Sequence, residues 1–238
     1  MIVRCIDVET CGLPPDHCQV CEIATVDLVQ SEPGAAWQRG RVWSTLVNPG
    51  VPIPPEVSAV HHIVDDMLTD APFLGDVLAG VEDEPACGLF AAHEMKFERA
   101  ALPMLAPKIN ICTRKAALTL WPDAPNHQAQ TLRYWLRLKF ADPPTPHRAL
   151  GDAMVCAAIL RACLAQCSVE ELIEISAQPV RLARLPFGKH AMVPTAEVPT
   201  DYWQWMLDKG NFDDEDVLHT ARCELNDRRR AVKNRSPV

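Results

Sequence analysis

No lysine or arginine occurs between positions 42 and 95 of this 238-residue chain, although nine acids do, from Glu56 to Glu94. No apolar run approaches the length of a membrane span, and the amino terminus enters an apolar strand-like segment at once, which leaves no room for a signal peptide. A cytoplasmic protein with no membrane part is expected. No internal repeat or low-complexity tract appears. Cys18-x-x-Cys21, preceded by His17, has no second such pair at zinc-ribbon distance, so a zinc site is not expected. Ten cysteines raise the question of disulfides, yet Cys5, Cys156 and Cys163 fall where a strand or a helical stripe would bury them. Reduced thiols of the cytosol are the simpler account.

What is present is a set of acids in costly places. Asp7 and Glu9 end the apolar run that starts at Met1, and alternate strand residues face one side, so both carboxylates point the same way. Two like charges side by side on an apolar strand need a cation, and hard divalent metals prefer oxygen ligands. Glu98 follows a second strand-like stretch, Cys87 to Ala92, and falls on the helical stripe marked by Met95, Leu102 and Leu105. Asp152 takes the vacant place in the stripe Ala149, Cys156, Ile159 and Cys163, on a helix that starts near His147 after an extended, proline-rich approach. His147 sits at the loop or first turn, and an imidazole titrates near neutral pH. Each acid alone has an ordinary explanation. Three separate elements that each place an acid where burial penalises it point together to a metal, and the economical chemistry is two-metal phosphodiester hydrolysis with His147 as general base.

These segments resemble the exonucleases of the ribonuclease-H-like fold that use four acids and a histidine, the DEDDh or DnaQ-like family. The matching stretches are Asp7 to Leu13, His93 to Glu98 and His147 to Asp152, in family order; Val20 to Ala24 is similar to the family's second strand, and Pro55 to Ile63, with His61 and His62, to its following loop. The resemblance spans residues 1–165. It implies that Asp7, Glu9 and Asp152 hold one divalent ion, Mg²⁺ or Mn²⁺. Asp7 would also hold a second, with Glu98 close by or acting through water. It further implies cleavage from a 3′ end to nucleoside 5′-monophosphates, with Thr10, Leu13, His93 and Arg148 toward substrate and Leu13 packed on the terminal base. Two departures stand out. The family more often has Asp at position 98 and Asn at 94, so an altered rate or metal preference is expected, and Glu94 faces either the substrate phosphate, weakening binding, or solvent.

The net charge of −8 is unevenly distributed, for residues 96–148 carry nine basic residues against Glu98, Asp123 and Asp142. That basic segment, including Lys96, Arg99, Arg114, Lys115, Arg133, Arg137, Lys139 and Arg148, is able to steer phosphates to one side of an acidic protein. Strands near 2–8, 19–29 and 41–48, a proline-rich loop through 55, a helix within 73–83 and a strand near 87–92 are predicted. Helix 94–105, strand 108–112, helices near 113–121 and 130–138 and the long helix from about 148 follow. A meander followed by alternating helices and strands predicts an α/β domain, a mixed sheet flanked by helices, over 1–167. Residues 168–186 read as a helix and linker.

Residues 187–238 resemble the small carboxy-terminal module of exonuclease X-like bacterial proteins. There a glycine commonly stands at the place of Met192, so a different first turn is expected. Tyr202, Trp203 and Trp205 are expected inside so small a unit, though bases stack on such rings. The tail Arg228, Arg229, Arg230, Lys233 and Arg235 is expected to be a frayed helix end. The leading expectation is a 3′→5′ exonuclease preferring single-stranded DNA ends. The alternatives are an exoribonuclease on short RNA, a proofreading subunit with a polymerase or repair partner, or a binding protein on a degenerate nuclease scaffold; homo-oligomerisation stays open.

Overall fold

The computed structural model describes residues 1–13, 18–82, 87–209, 212 and 214–233. His17, the last residue of the helix predicted within 73–83, and Arg235 lie outside that set. The first strand, β1 (Ile2–Thr10), pairs antiparallel with β2 (Val20–Val29), which pairs antiparallel with β3 (Gln38–Leu46). On its other side β1 runs parallel to β4 (Leu89–Ala92), and β4 parallel to β5 (Ile109–Cys112), giving the order β3-β2-β1-β4-β5. The sheet is mixed, as the meander followed by helix-strand alternation requires.

The predicted third strand is shifted: β3 begins at Gln38, where it meets Val29 of β2, and not at 41. Its outer residues are exposed, so no apolar alternation announced them. The segment read as a loop around Pro55 to Ile63 instead contains helix α1 (Pro55–His61), followed by α2 (Asp65–Leu68). Pro55 presets the first-turn geometry, Glu56 suits the positive end of the helix, and His62 at φ 61° ends it in a left-handed turn. After α3 (Leu74–Glu82) and β4, helix α4 (Met95–Ala101) stops short of the predicted 105, because Pro103 keeps Leu102 out of the helical region, at φ −126° and ψ 84°. Helices α5 (Thr113–Leu120) and α6 (Ala129–Trp135) follow, and Arg137, left-handed at φ 54°, closes the turn after α6. Helix α7 (Ala149–Leu164) is buried along most of its length, and α8 (Val169–Ala177) follows it. No single helix among the described residues is long and apolar enough to cross a membrane.

The two faces of β1 have different tasks. Ile6 and Val8 pack into a core with Val81 of α3, Met95 and Ala101 of α4, and Leu102 and Leu105 beyond it. Arg4, also on this face, is fully buried opposite Asp27 of β2, with bonds of 2.7 and 2.9 Å between them and a third from Arg4 to the Val81 carbonyl at 2.6 Å. A bidentate, fully satisfied pair of this kind ties strand to strand to helix, and truncating one partner would strand the other charge. The opposite face, with Cys5, Asp7 and Glu9, looks toward α7. All ten cysteines are free thiols, and Cys5, Cys156 and Cys163 are buried as predicted.

The chain forms two compact units. The first comprises Met1–Ala116 and Pro125–Ser176, the second Ala117–Ala124 and Ala177–Val238. The boundary therefore falls after α8 and not at 167, because Leu172 of α8 is buried and Ser176 Oγ accepts the Cys112 N–H of β5 at 2.8 Å.

The second unit adds α9 (Thr200–Lys209) and α10 (Glu215–Lys233). Trp203 is fully buried among Leu185, Val198, Met206 and Val217, but Tyr202 is only half-buried and Trp205 is 45% exposed. The prediction that all three rings lie inside is corrected to one. Arg228 is not frayed: it donates to Thr200 Oγ1 at 2.9 Å and to the Ala196 carbonyl at 3.0 Å. Met192 keeps a glycine-like backbone, φ 65°, inside a turn closed by its own N–H on the Leu185 carbonyl at 2.7 Å. Met192→Gly is expected to stabilise the chain by about 1 kcal/mol, the cost of a left-handed L-residue. Gly188→Ala is expected to destabilise it, since Gly188 has φ +80° and a Cβ there would lie 2.6 Å from Tyr202 Oη. Denaturant midpoints of the two variants should move in opposite directions.

Candidate active site

Four carboxylates gather around the second half of β1. Asp7 and Glu9, one strand repeat apart on β1, meet Asp152 from the first turn of α7, with ligand oxygens of all three within 4.8 Å of one another. All three are half-buried. Glu98, on α4, is only 4% exposed, and its Oε2 has no hydrogen-bond partner. It stands outside the triad but close enough for its charge to act on Asp7.

The cost of this arrangement appears in the acidities. Burial, then the charges of Glu98, Asp152 and Glu9, push the Asp7 carboxyl well above the usual carboxylate range. Glu9 is pushed up to about 8 by burial and by Asp152 and Glu22, with Arg148 opposing. Glu98 is raised to about 8 by burial first, with Glu94 and Glu9 adding to it. Burial also raises Asp152, against two hydrogen bonds that favour its charged form. Those bonds come from Gln130 Nε2 to Oδ1 and from the His147 backbone N–H to Oδ2, both at 2.7 Å. An all-oxygen donor set, one orphaned buried carboxylate oxygen and acids resisting ionisation fit a hard divalent cation, which would relieve all three at once.

His147 is exposed, on a turn just before α7, and adopts the left-handed region at φ 55°. The predicted helix start near His147 lies two residues later, since Arg148 is the extended N-cap residue. Gly151 permits the turn's close packing, for a Cβ there would collide with the Thr145 carbonyl oxygen.

The residues expected at the substrate are placed unevenly. Leu13 is 75% exposed, open to a ligand. Thr10 is buried and its hydroxyl donates to the Gly12 carbonyl at 2.5 Å, just where the β1–β2 register shifts after Glu9. His93 has both ring nitrogens engaged, with Thr113 Oγ1 at 2.9 Å and the His127 carbonyl at 2.8 Å, and burial lowers its pKa to about 4. A neutral, doubly bonded imidazole is a brace between β4, α5 and the approach to α6. Arg148 is turned to Glu22 of β2, at 2.6 and 3.0 Å.

Glu22 is the site residue that sequence reasoning missed. It is 5% exposed and lies directly across from Glu9 in the β1–β2 register. The signal was an acid inside the apolar run Val20 to Ala24. Gln130 was missed as well, and nothing in its own helix marks it. Glu94 is half-exposed and pairs with Arg114 at 3.4 Å, and its charge raises Glu98. Several predicted phosphate-steering cations are used internally. Arg133 is buried, bonded to the Pro144 carbonyl at 3.1 Å and set over the Tyr134 and Phe140 rings, and Arg99 donates to the Ala106 carbonyl.

Comparison with known proteins agrees with this geometry. Residues 5–160 match the RNase_T family, described as exonuclease. Exodeoxyribonuclease 10 of Escherichia coli K12 is 31% identical over 216 residues, covering 87% of this chain and 90% of that protein. The DNA polymerase III subunit epsilon of Treponema pallidum is 27% identical over 165 residues, 63% of this chain and 70% of its own. Among solved structures, exonuclease X in complex with 5′ overhanging duplex DNA superposes with a TM-score of 0.63 at 32% identity, over 73% of this chain and 99% of that one. The nuclease domain of 3′hExo, a DEDDh family member bound to rAMP, shares the fold at a TM-score of 0.54 and 17% identity, over 69% and 92%. A matched domain that holds all four acids and the histidine, with similarity running through nearly the whole of a relative, places this chain in the RNase_T family as a 3′–5′ exonuclease of the DEDDh type with the ribonuclease-H-like fold.

Proposed function

We propose that this protein removes nucleotides from the 3′ end of DNA, single-stranded ends preferred, and releases nucleoside 5′-monophosphates in the cytoplasm. The observation that carries the reading is the Asp7, Glu9 and Asp152 triad with the orphaned Glu98 oxygen beside it. DNA is favoured over RNA by the relative named exodeoxyribonuclease and by the exonuclease X complex with duplex DNA, both above 30% identity. Ten unpaired thiols fit a reducing compartment. The degenerate-scaffold alternative loses ground, since a chain freed from catalysis has no physical reason to hold raised carboxyls together.

Asp7, Glu9 and Asp152 would hold one of two divalent cations, and Asp7, with Glu98 near it or acting through water, the other. Bound there, Mg²⁺ or Mn²⁺ supplies the positive charge and Lewis acidity that phosphodiester hydrolysis needs. The chain's own residues do the rest. His147 accepts the proton of the attacking water from its exposed turn. Asp152 is kept as an oriented carboxylate by Gln130 and by the His147 N–H, so ligand and base share one turn of chain. Leu13, largely in solvent, packs on the terminal base.

Digestion of a 5′-labelled single-stranded oligonucleotide, as DNA and as RNA, tests this directly. A metal-dependent ladder shortening from the 3′ end, faster on DNA, is the expected result; a faster RNA ladder would reverse the substrate assignment. Asp7→Ala and Asp152→Ala are expected to abolish cleavage, whereas His147→Ala should slow turnover on the order of 10²–10⁴-fold with metal binding kept. Residual full activity in Asp7→Ala would remove the metal assignment.

The raised carboxyls give a pH dependence of known sign. Glu9 and Glu98 stand at about 8 in the folded chain against an ordinary value of 4.5, so across this range the folded state keeps protons that the unfolded state has lost. Stability in chelator therefore falls as pH rises from about 5 to 8. Mn²⁺ should restore it, with a larger shift in melting temperature at pH 8 than at pH 6. Thermal unfolding across that range, with and without Mn²⁺, checks both; a flat chelator profile would contradict the assigned acidities.

A further inference from the structure

Glu22 is an acid that the cation-binding set does not use, yet it is buried on the same face as Glu9 and directly across from it. A bare carboxylate there would add a like charge beside the triad. Instead both its oxygens are taken: Oε1 accepts from Arg148 Nη2 at 2.6 Å, and Oε2 from Arg148 Nε at 3.0 Å and the Ala149 backbone N–H at 2.9 Å. A guanidinium that turns two donors onto one carboxylate has its charge and orientation set by that partner.

The consequence falls on residue 147. Its N–H is held by Asp152 on one side, while the next two residues are held by Glu22 on the other. The approach is held as well, since Thr145 lies against Gly151 and the Pro144 carbonyl accepts from Arg133. The left-handed backbone at His147 is one that side-chain-bearing residues seldom adopt, and it persists only where neighbours impose it. Turning the backbone at His147 out of this region would break its bond to Asp152 and shift Arg148 and Ala149 against Glu22.

We propose that Glu22 and Arg148 form a positioning pair that sets the backbone of His147, and that Arg148 serves the reaction through this pair and not as a contact to substrate phosphate. The proposal rests on His147 being the general base. Removing either member loosens the base but leaves the substrate path as it was. The loss should therefore fall on kcat and pass through His147.

Steady-state kinetics of the full chain on a labelled single-stranded DNA oligonucleotide, with Mn²⁺, would compare Glu22→Gln, Arg148→Ala and Arg148→Lys, each alone and combined with His147→Ala. Each single variant is expected to lower kcat, on the order of 10- to 10²-fold for Glu22→Gln and Arg148→Ala. Arg148→Lys, with one compact donor group, should lose less. KM should stay within about two-fold, and none should cost more than about two-fold further once His147 is Ala. A phosphate contact would look different: Arg148→Ala would raise KM and flatten its salt dependence, while Glu22→Gln would free the arginine and lower KM. Either of those results overturns the proposal, as do equal losses with and without His147. Full activity in His147→Ala would remove the base assignment itself, and the pair's role with it. Should Arg148→Ala fail to fold, Glu22→Gln and Arg148→Lys still decide.

Discussion

Mutual repulsion among carboxylates in a poorly solvated place is the constraint around which this domain is arranged. Asp7 and Glu9 share a strand face, Asp152 reaches them from the first turn of α7, and Glu98 is brought in on α4 almost wholly out of water. Three elements far apart in sequence must agree in position for that to occur, and none would gather acids there for stability alone. The resistance of all four to ionisation reflects the same conflict. Rigid apolar packing on the other face of β1, with the buried Arg4–Asp27 pair at its edge, holds the strand that carries two of them.

Around the acids lies a second tier whose task is orientation. Gln130 and the His147 N–H aim the Asp152 carboxyl and partly offset the cost of burying its charge. His93 braces the segment from which α6 and Gln130 start, and Arg114 answers Glu94. Two cations of the basic segment 96–148, Arg114 and Arg148, are thus answered by acids, which trims the excess of positive charge along that stretch.

The carboxy-terminal unit follows different rules. A single indole, Trp203, supplies its centre, and the surrounding rings form a run of edge and tilted contacts, His190 to Tyr202 at 4.6 Å, Tyr202 to Trp205 at 5.4 Å and Trp205 to Phe212 at 5.8 Å. Small units have too little interior for every aromatic, and rings that remain outside gain by packing on one another. Met192 holds a left-handed backbone because its own N–H closes the turn on the Leu185 carbonyl.

How far the sequence could be read depended on the range of the physics involved. Strand alternation put Asp7 and Glu9 on one face, and helical spacing put Glu98 and Asp152 on buried stripes. Both are local regularities, so the acids, the α/β class and the order of elements were legible in the chain itself. Pro103 and Pro55 show where local reading slipped, once by running α4 too far and once by taking the first turn of α1 for loop. Gln130, the partner of Glu22 and the engaged state of His93 and Arg148 were not legible, because each depends on a contact 20 to more than 100 residues away whose direction only packing sets. Period and residue type are properties of a single segment, and they were enough to mark Asp7, Glu9, Glu98 and Asp152, which the fold brings together. Which charges meet was fixed only when the chain folded, since hydrogen bonds and ion pairs are made between segments.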